Sequence, residues 1–187
     1  MTTPTFGLVL KVAVVLPAIT GEVGEYLADV TALEAAGAHA VWVEDTGPDP
    51  WVTLGALAAI THRLVLGCVI TSRAEWSAAW LDRASRSLQT LSRGRFAVAL
   101  PQEGLLEDQL DALRAAGVRL FGSDFGAGEE AWLSIPAPVD RVGWNEALAA
   151  CDAAGATGLI VPWSDRLIDL LRNPEPDDRS DLLVSTG

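Results

Sequence analysis

From Gly37 to Pro101, short apolar runs alternate with helical stretches in a fixed rhythm. Ala40-Val-Trp-Val-Glu-Asp45 reads as a strand leading into a helix that closes at Thr61; Leu64–Ile70 reads as the next, leading into a helix that closes at Gly94; Arg95–Leu100 is a third. Strands separated by amphipathic helices must run parallel, because a crossover long enough to hold a helix returns the chain to the same edge. Upstream, Leu8–Leu16 reads as a strand ending at Pro17, and Val23, Leu27, Val30 and Leu33 share one face of a helix over Glu22–Ala36. Downstream, the pattern predicts helices over Leu105–Ala116, Trp144–Ala154 and Ser164–Arg172, with strands at Val118–Phe121, Trp132–Ile135 and Gly158–Val161. Asp181–Ser185 is a candidate last strand.

The joints repeat. Ala-Ala-Gly occurs at 35–37, 115–117 and 153–155, each time after a helical pattern and before a β-prone one, where glycine supplies the left-handed conformation that closes a helix. Pro17, Pro101, Pro136 and Pro162 stand where apolar strands stop and no further ladder donor is needed. Parallel strands with helices between them predict an α/β fold of the (β/α) TIM-barrel type. The 187 residues fall short of the usual length of about 250, so the barrel is compact or incomplete. Residues 1–172 read as this single domain and 173–187 as a C-terminal tail. The weakest repeat is 121–138, where a loop with three glycines replaces a helix.

Half of the chain is hydrophobic, enough for a sizeable core. The apolar runs are too short and too often broken by charge to span a bilayer, and no signal-peptide pattern opens the chain. A cytoplasmic protein is the resulting expectation. The formal charge of −12 argues against nucleic acid and anionic membranes. Residues 1–62 hold Lys11 against seven acids, residues 63–95 six arginines against Glu75 and Asp82, and residues 96–187 six arginines against sixteen acids. The basic island is either a solvated helix face or a holder for an anionic ligand. Cys68 and Cys151 lack the spacing of a disulfide framework or a zinc site, and no metal is expected.

In parallel sheets ligands sit beyond the carboxyl ends of the strands. That places His39 and His62, which precede strands, on the wrong side, and leaves Glu44-Asp45-Thr46, Thr71-Ser72-Arg73, Gln102-Glu103, Ser123-Asp124 and Ser164-Asp165 as candidates. Asp45 either presents a carboxylate at a pocket mouth or holds the following turn. Trp163 either lines a flat-ring pocket or packs. No dinucleotide fingerprint, phosphate loop, nucleophile elbow or H-E-x-x-H motif is present.

The segment Ala38–Asp108 resembles the luciferase-like monooxygenase superfamily, and within it the branch using the deazaflavin coenzyme F-420. The residues that carry this are the strand Ala40–Asp45, Asp49-Pro-Trp-Val-Thr-Leu-Gly-Ala-Leu-Ala-Ala-Ile-Thr61, His62-Arg-Leu-Val-Leu-Gly67 and the joint Leu88-Gln-Thr-Leu-Ser-Arg-Gly-Arg95. The resemblance implies a barrel that binds FMN or the deazaflavin at the carboxyl ends of its strands. It implies a bulge with a non-proline cis bond at Cys68-Val69, packed against the ring, and cofactor contacts from Thr71. Arg73 is expected near an anionic cofactor group, and Trp163 along the pocket. Asp45 and Glu103 are the candidate acid or base. The histidine that usually follows the aspartate is Thr46 here, and Ala97–Pro101 replaces a glycine-rich strand end.

Two functions follow. One is a flavin- or deazaflavin-dependent oxidoreductase, a monooxygenase or a hydride-transfer enzyme, acting on a small organic substrate, with the cofactor carrying the chemistry. The other is a degenerate barrel without catalysis, serving as partner subunit or scaffold. In either case open edges predict a homodimer or a complex with a fuller homologue.

Overall fold

The computed structural model describes residues 10–71, 76–128 and 130–172. Along the chain run β1 (Lys11–Leu16), α1 (Val23–Ala35), β2 (Ala40–Glu44), α2 (Pro50–Ile60), β3 (Val65–Val69), α3 (Ala78–Ser92), β4 (Phe96–Ala99), α4 (Glu107–Ala115), β5 (Arg119–Phe121), β6 (Trp132–Ser134), α5 (Arg141–Ala153), β7 (Gly158–Pro162) and α6 (Leu167–Arg172). All strand pairs are parallel, in the order β5-β4-β3-β2-β1-β7-β6. The sheet curls into a half-barrel. Its edges, β5 and β6, do not pair. The candidate strand at 181–185 and Leu8 and Val9 lie outside the described residues.

Local chemistry explains the joints. Gly37, Gly117 and Gly155 have φ of 95°, 73° and 63°, the conformation that ends each Ala-Ala-Gly helix. α5 starts at Arg141, ahead of the apolar pattern, because Asp140 Oδ1 accepts the Gly143 N–H at 2.8 Å and caps the first turn. α6 starts later than its pattern, at Leu167, whose N–H first closes a turn onto the Ser164 carbonyl at 3.0 Å.

Alternation along the strands separates two cores. Val12, Val14, Leu16, Val41, Val43, Leu66, Cys68, Phe96, Val98, Leu159 and Val161 face the helices, where Leu33, Leu54, Leu57, Leu81 and Leu113 bury against them. Each such leucine contributes roughly 1.5–3 kcal/mol of transfer free energy. The concave face carries Ala13, Ala40, Trp42, Ala97, Ala99, Phe121 and Ile160. With four alanines there, and Gly67 and Gly158 at inward positions, that surface is low enough for a few rings to fill it. Trp42 meets Phe121 edge-on at 5.2 Å and Phe125 at 5.1 Å.

Segment 122–131 links the carboxyl end of one edge strand to the amino end of the other. A flat seven-stranded sheet would hold these edges roughly 29 Å apart, near the roughly 33–36 Å full reach of ten residues, so a link that also folds into a turn and reverses along the strands suits a curled sheet. Phe125 and Ala127 pack this segment onto the inner core. Its turn is fixed by Gly122 N–H to the Gly126 carbonyl (2.9 Å) and by Asp124 Oδ1 accepting the Gly126 N–H (3.0 Å), with Phe125 at φ 60°. Among the described residues no helix is long and apolar enough to cross a membrane.

Candidate functional site

β2 and β3 deliver the best-defined polar constellation at the carboxyl mouth. The strands stay in register to Glu44 opposite Val69, and the Asp45 N–H donates to the Val69 carbonyl at 3.2 Å. Asp45 Oδ1 then accepts both the Thr71 N–H, at 2.9 Å, and the Thr71 hydroxyl. Asp45 Oδ2 is buried and has no hydrogen-bond partner among the described residues. A buried carboxylate oxygen without a donor costs free energy, and a ligand donor or a substrate proton would relieve it. On the concave side of these strand ends Val15 and Val69 pack onto the inner core with Ala99 and form an apolar floor. Asp45, one position beyond Glu44, follows the parity of Val41 and Val43, and its charge acts on the Cys68 thiol. Glu44 shares the inward parity of Ala40 and Trp42 and is exposed.

Asp45, Thr71 and Val69 come together. Cys68 does not join them: its thiol is fully buried in the helix-facing core, where burial first, and then the charges of Asp45 and Asp49, push it well above the usual thiol range. The cis bond implied at Cys68-Val69 is not formed, since the described residues contain no cis peptide bond and β3 keeps register with both neighbours through Val69. Trp163 donates its N–H to the Val15 carbonyl at 2.9 Å, yet its side chain packs on the helix-facing side, in a small cavity with Leu16, Tyr26, Asp29 and Val30. Burial there pushes the Tyr26 hydroxyl up to about 12. Glu103 is exposed in the turn after β4, closed by Gly104 N–H to the Pro101 carbonyl at 2.9 Å. Arg73 lies outside the described residues.

Much of the arginine-rich island has structural partners. The Arg95 guanidinium donates to the carbonyls of Leu64 (2.6 Å), Thr61 (2.9 Å) and Ala58 (3.5 Å), so it closes the end of α2. Arg86 pairs with Asp82 at 2.8 Å. At the amino mouth, Glu34 Oε1 accepts the N–H groups of Arg63 (2.6 Å), His62 (2.8 Å) and Leu64 (3.1 Å). Burial raises that carboxyl, but these donors outweigh it and hold it below the usual range. Lys11 and Glu130 pair at 2.6 Å nearby. Among the described residues no three His, Cys, Asp or Glu side chains gather as a metal site.

A family model described as luciferase-like monooxygenase matches residues 5–104. The chain belongs to the luciferase-like monooxygenase family. The match runs from the first strand to the turn after β4 and includes Asp45, Cys68, Val69, Thr71, Arg73 and Glu103, while β5, β6, β7 and Trp163 lie beyond it. No curated protein matches this chain. At the level of the family the chemistry is flavin-dependent oxidoreduction, and flavin-type cofactors are commonly used. The residues present fit the ring portion of such a group: the partly buried Val15 and Val69 offer apolar surface on the concave side, and the end of β2 carries the unpartnered Asp45 Oδ2 acceptor.

Proposed function

We propose that this chain binds a flavin-type ring, of FMN or deazaflavin type, at the carboxyl mouth and catalyses oxidoreduction of a small organic substrate there. The observation that carries the reading is Asp45. Thr71 fixes one carboxylate oxygen with two donors while the other stays buried and unpartnered among the described residues. When bound, the ring supplies the acceptor or donor of two electrons. Asp45 Oδ2 takes or returns the accompanying proton, Thr71 orients it, and the apolar floor keeps water from the ring face. Glu103, in the turn after β4 and two strands from β2, is the second candidate for proton transfer.

The test is titration of the purified protein with FMN, with coenzyme F-420 and with riboflavin, read by tryptophan fluorescence. The seven indoles, Trp42 beside the floor among them, report a bound ring by quenching. Absence of quenching by all three at high micromolar ligand overturns the proposal.

Thr46 supports a second reading, a barrel without turnover that acts as a subunit, because it removes the side chain that titrates near neutrality at that position. Under this reading the three ligands leave fluorescence unchanged, and sedimentation shows a homodimer or a complex with a fuller homologue.

A further inference from the structure

We infer that the carboxyl mouth takes its ring in a phosphate-free, uncharged form, the class of riboflavin rather than FMN; this rests on the flavin-binding reading above. Barrels and other parallel α/β folds hold phosphate on free N–H groups at helix starts and on cations near the strand ends. Here carboxylates already occupy such N–H groups at three helix starts. Asp49 Oδ1 accepts from Trp51 and Val52 at the start of α2 (2.8 and 3.3 Å), Asp140 Oδ1 from Gly143 at the start of α5 (2.8 Å), and Asp108 Oδ1 from Gln109 in the first turn of α4 (3.0 Å). The Ser77 hydroxyl accepts from the Trp80 N–H at the start of α3 (3.3 Å), and the start of α1, which has no side-chain cap, is flanked by Glu22 and Glu25.

Arg141 and Arg166, which lie at this end, are engaged as well. Arg141 donates to the carbonyls of Leu170 (2.6 Å) and Asp169 (3.0 Å), and Arg166 to that of Val139 (2.9 Å). Glu44, Asp45 and Asp165 add negative charge on loops and strand ends of the same face. The acids sense one another: Asp29 is raised by burial first, and then by Asp165 and Glu25. A dianionic phosphate entering this field is repelled, while an uncharged ring meets the apolar floor and the Asp45 acceptor without that cost.

Dissociation constants of riboflavin and FMN, measured by tryptophan quenching at low and high salt, test the inference. Riboflavin is expected to bind about tenfold more tightly than FMN at ~20 mM salt, with the gap closing at ~0.5 M as the charges are screened. The double variant Asp140→Asn, Asp165→Asn keeps the α5 cap, since asparagine caps as well as aspartate. It should tighten FMN by about threefold and leave riboflavin unchanged. FMN binding as tightly as riboflavin or more so, or a gap insensitive to salt, overturns this inference and leaves the flavin reading standing. Binding of neither ligand overturns both.

Discussion

Trp42 and Gly67 are register partners on β2 and β3, and the indole lies where a side chain at position 67 would have to go. A Cβ built on Gly67 would stand 2.0 Å from Trp42 Cε3. The relationship recurs at the far side of the sheet, where Trp132 is paired with Gly158 and a Cβ there would meet the ring at 2.5 Å. Each glycine is therefore half of a packing unit, and the two units share the concave face with Phe121, Phe125, Ile160 and four alanines.

Gly67→Ala should destabilise the fold by about 1–3 kcal/mol, because neither the flanking backbone nor the 2 %-exposed indole has room to move. Urea unfolding measures this. Adding Trp42→Leu should recover part of the loss, giving a coupling that independent sites would not show. Simple additivity would mean that the two residues do not share one space.

Arg95→Lys should cost about 1–3 kcal/mol, since an ammonium cannot reach the carbonyls of Ala58, Thr61 and Leu64 together. Thermal melts would show the loss, and a Tm equal to wild type would assign the α2 terminus to another partner.

Acid should act in two steps. Burial first, and then Lys11 and Arg119, depress His39 below its ordinary 6.5. The unfolded chain therefore takes up this proton more readily than the folded one, and stability falls as pH drops below 6.5 toward the folded value. Glu34 and Glu130 are also depressed. Burial opposes this in both; the backbone donors prevail at Glu34, and the hydrogen bond and charge of Lys11 at Glu130. Their contribution is present above the ordinary glutamate value of 4.5 and is lost as pH falls through the folded values. Melts at descending pH should show both losses, and His39→Phe should abolish the upper one alone.

Asp45→Asn should lower turnover by about 10²–10⁴-fold while ring affinity changes little, because the amide oxygen still accepts from Thr71 but no longer exchanges a proton. Steady-state kinetics and tryptophan quenching on the same variant separate the two effects. An equal loss of affinity and turnover would make Asp45 a binding group, and a loss of folding would make it a structural one.

The order of elements was legible because each depends on its own residues: apolar alternation for Ala40–Glu44 and Val65–Val69, Ala-Ala-Gly for three helix ends, proline where strands stop. Of the candidate site, Asp45 and Thr71 were legible as polar residues just past strand ends. Which way Cys68 and Val69 point was not. Both faces of this sheet are covered, so its strands are apolar throughout and carry no mark of inside and outside. Trp163 poses the same problem one residue beyond a strand, and its ring turns to the helices.

By itself the sequence determined a parallel α/β chain with its joints in place and a family resemblance from 38 to 108, since hydrophobic period and turn chemistry are local properties. Tertiary structure alone decided that the sheet stays open between β5 and β6 with Phe125 packed against Trp42 inside, that Asp140 and Asp49 cap the helices at the mouth, and that one oxygen of Asp45 is buried without a described partner. The physical reason is that strand curl, side-chain parity and the satisfaction of a buried atom depend on residues far apart in sequence, which only the packed chain brings together.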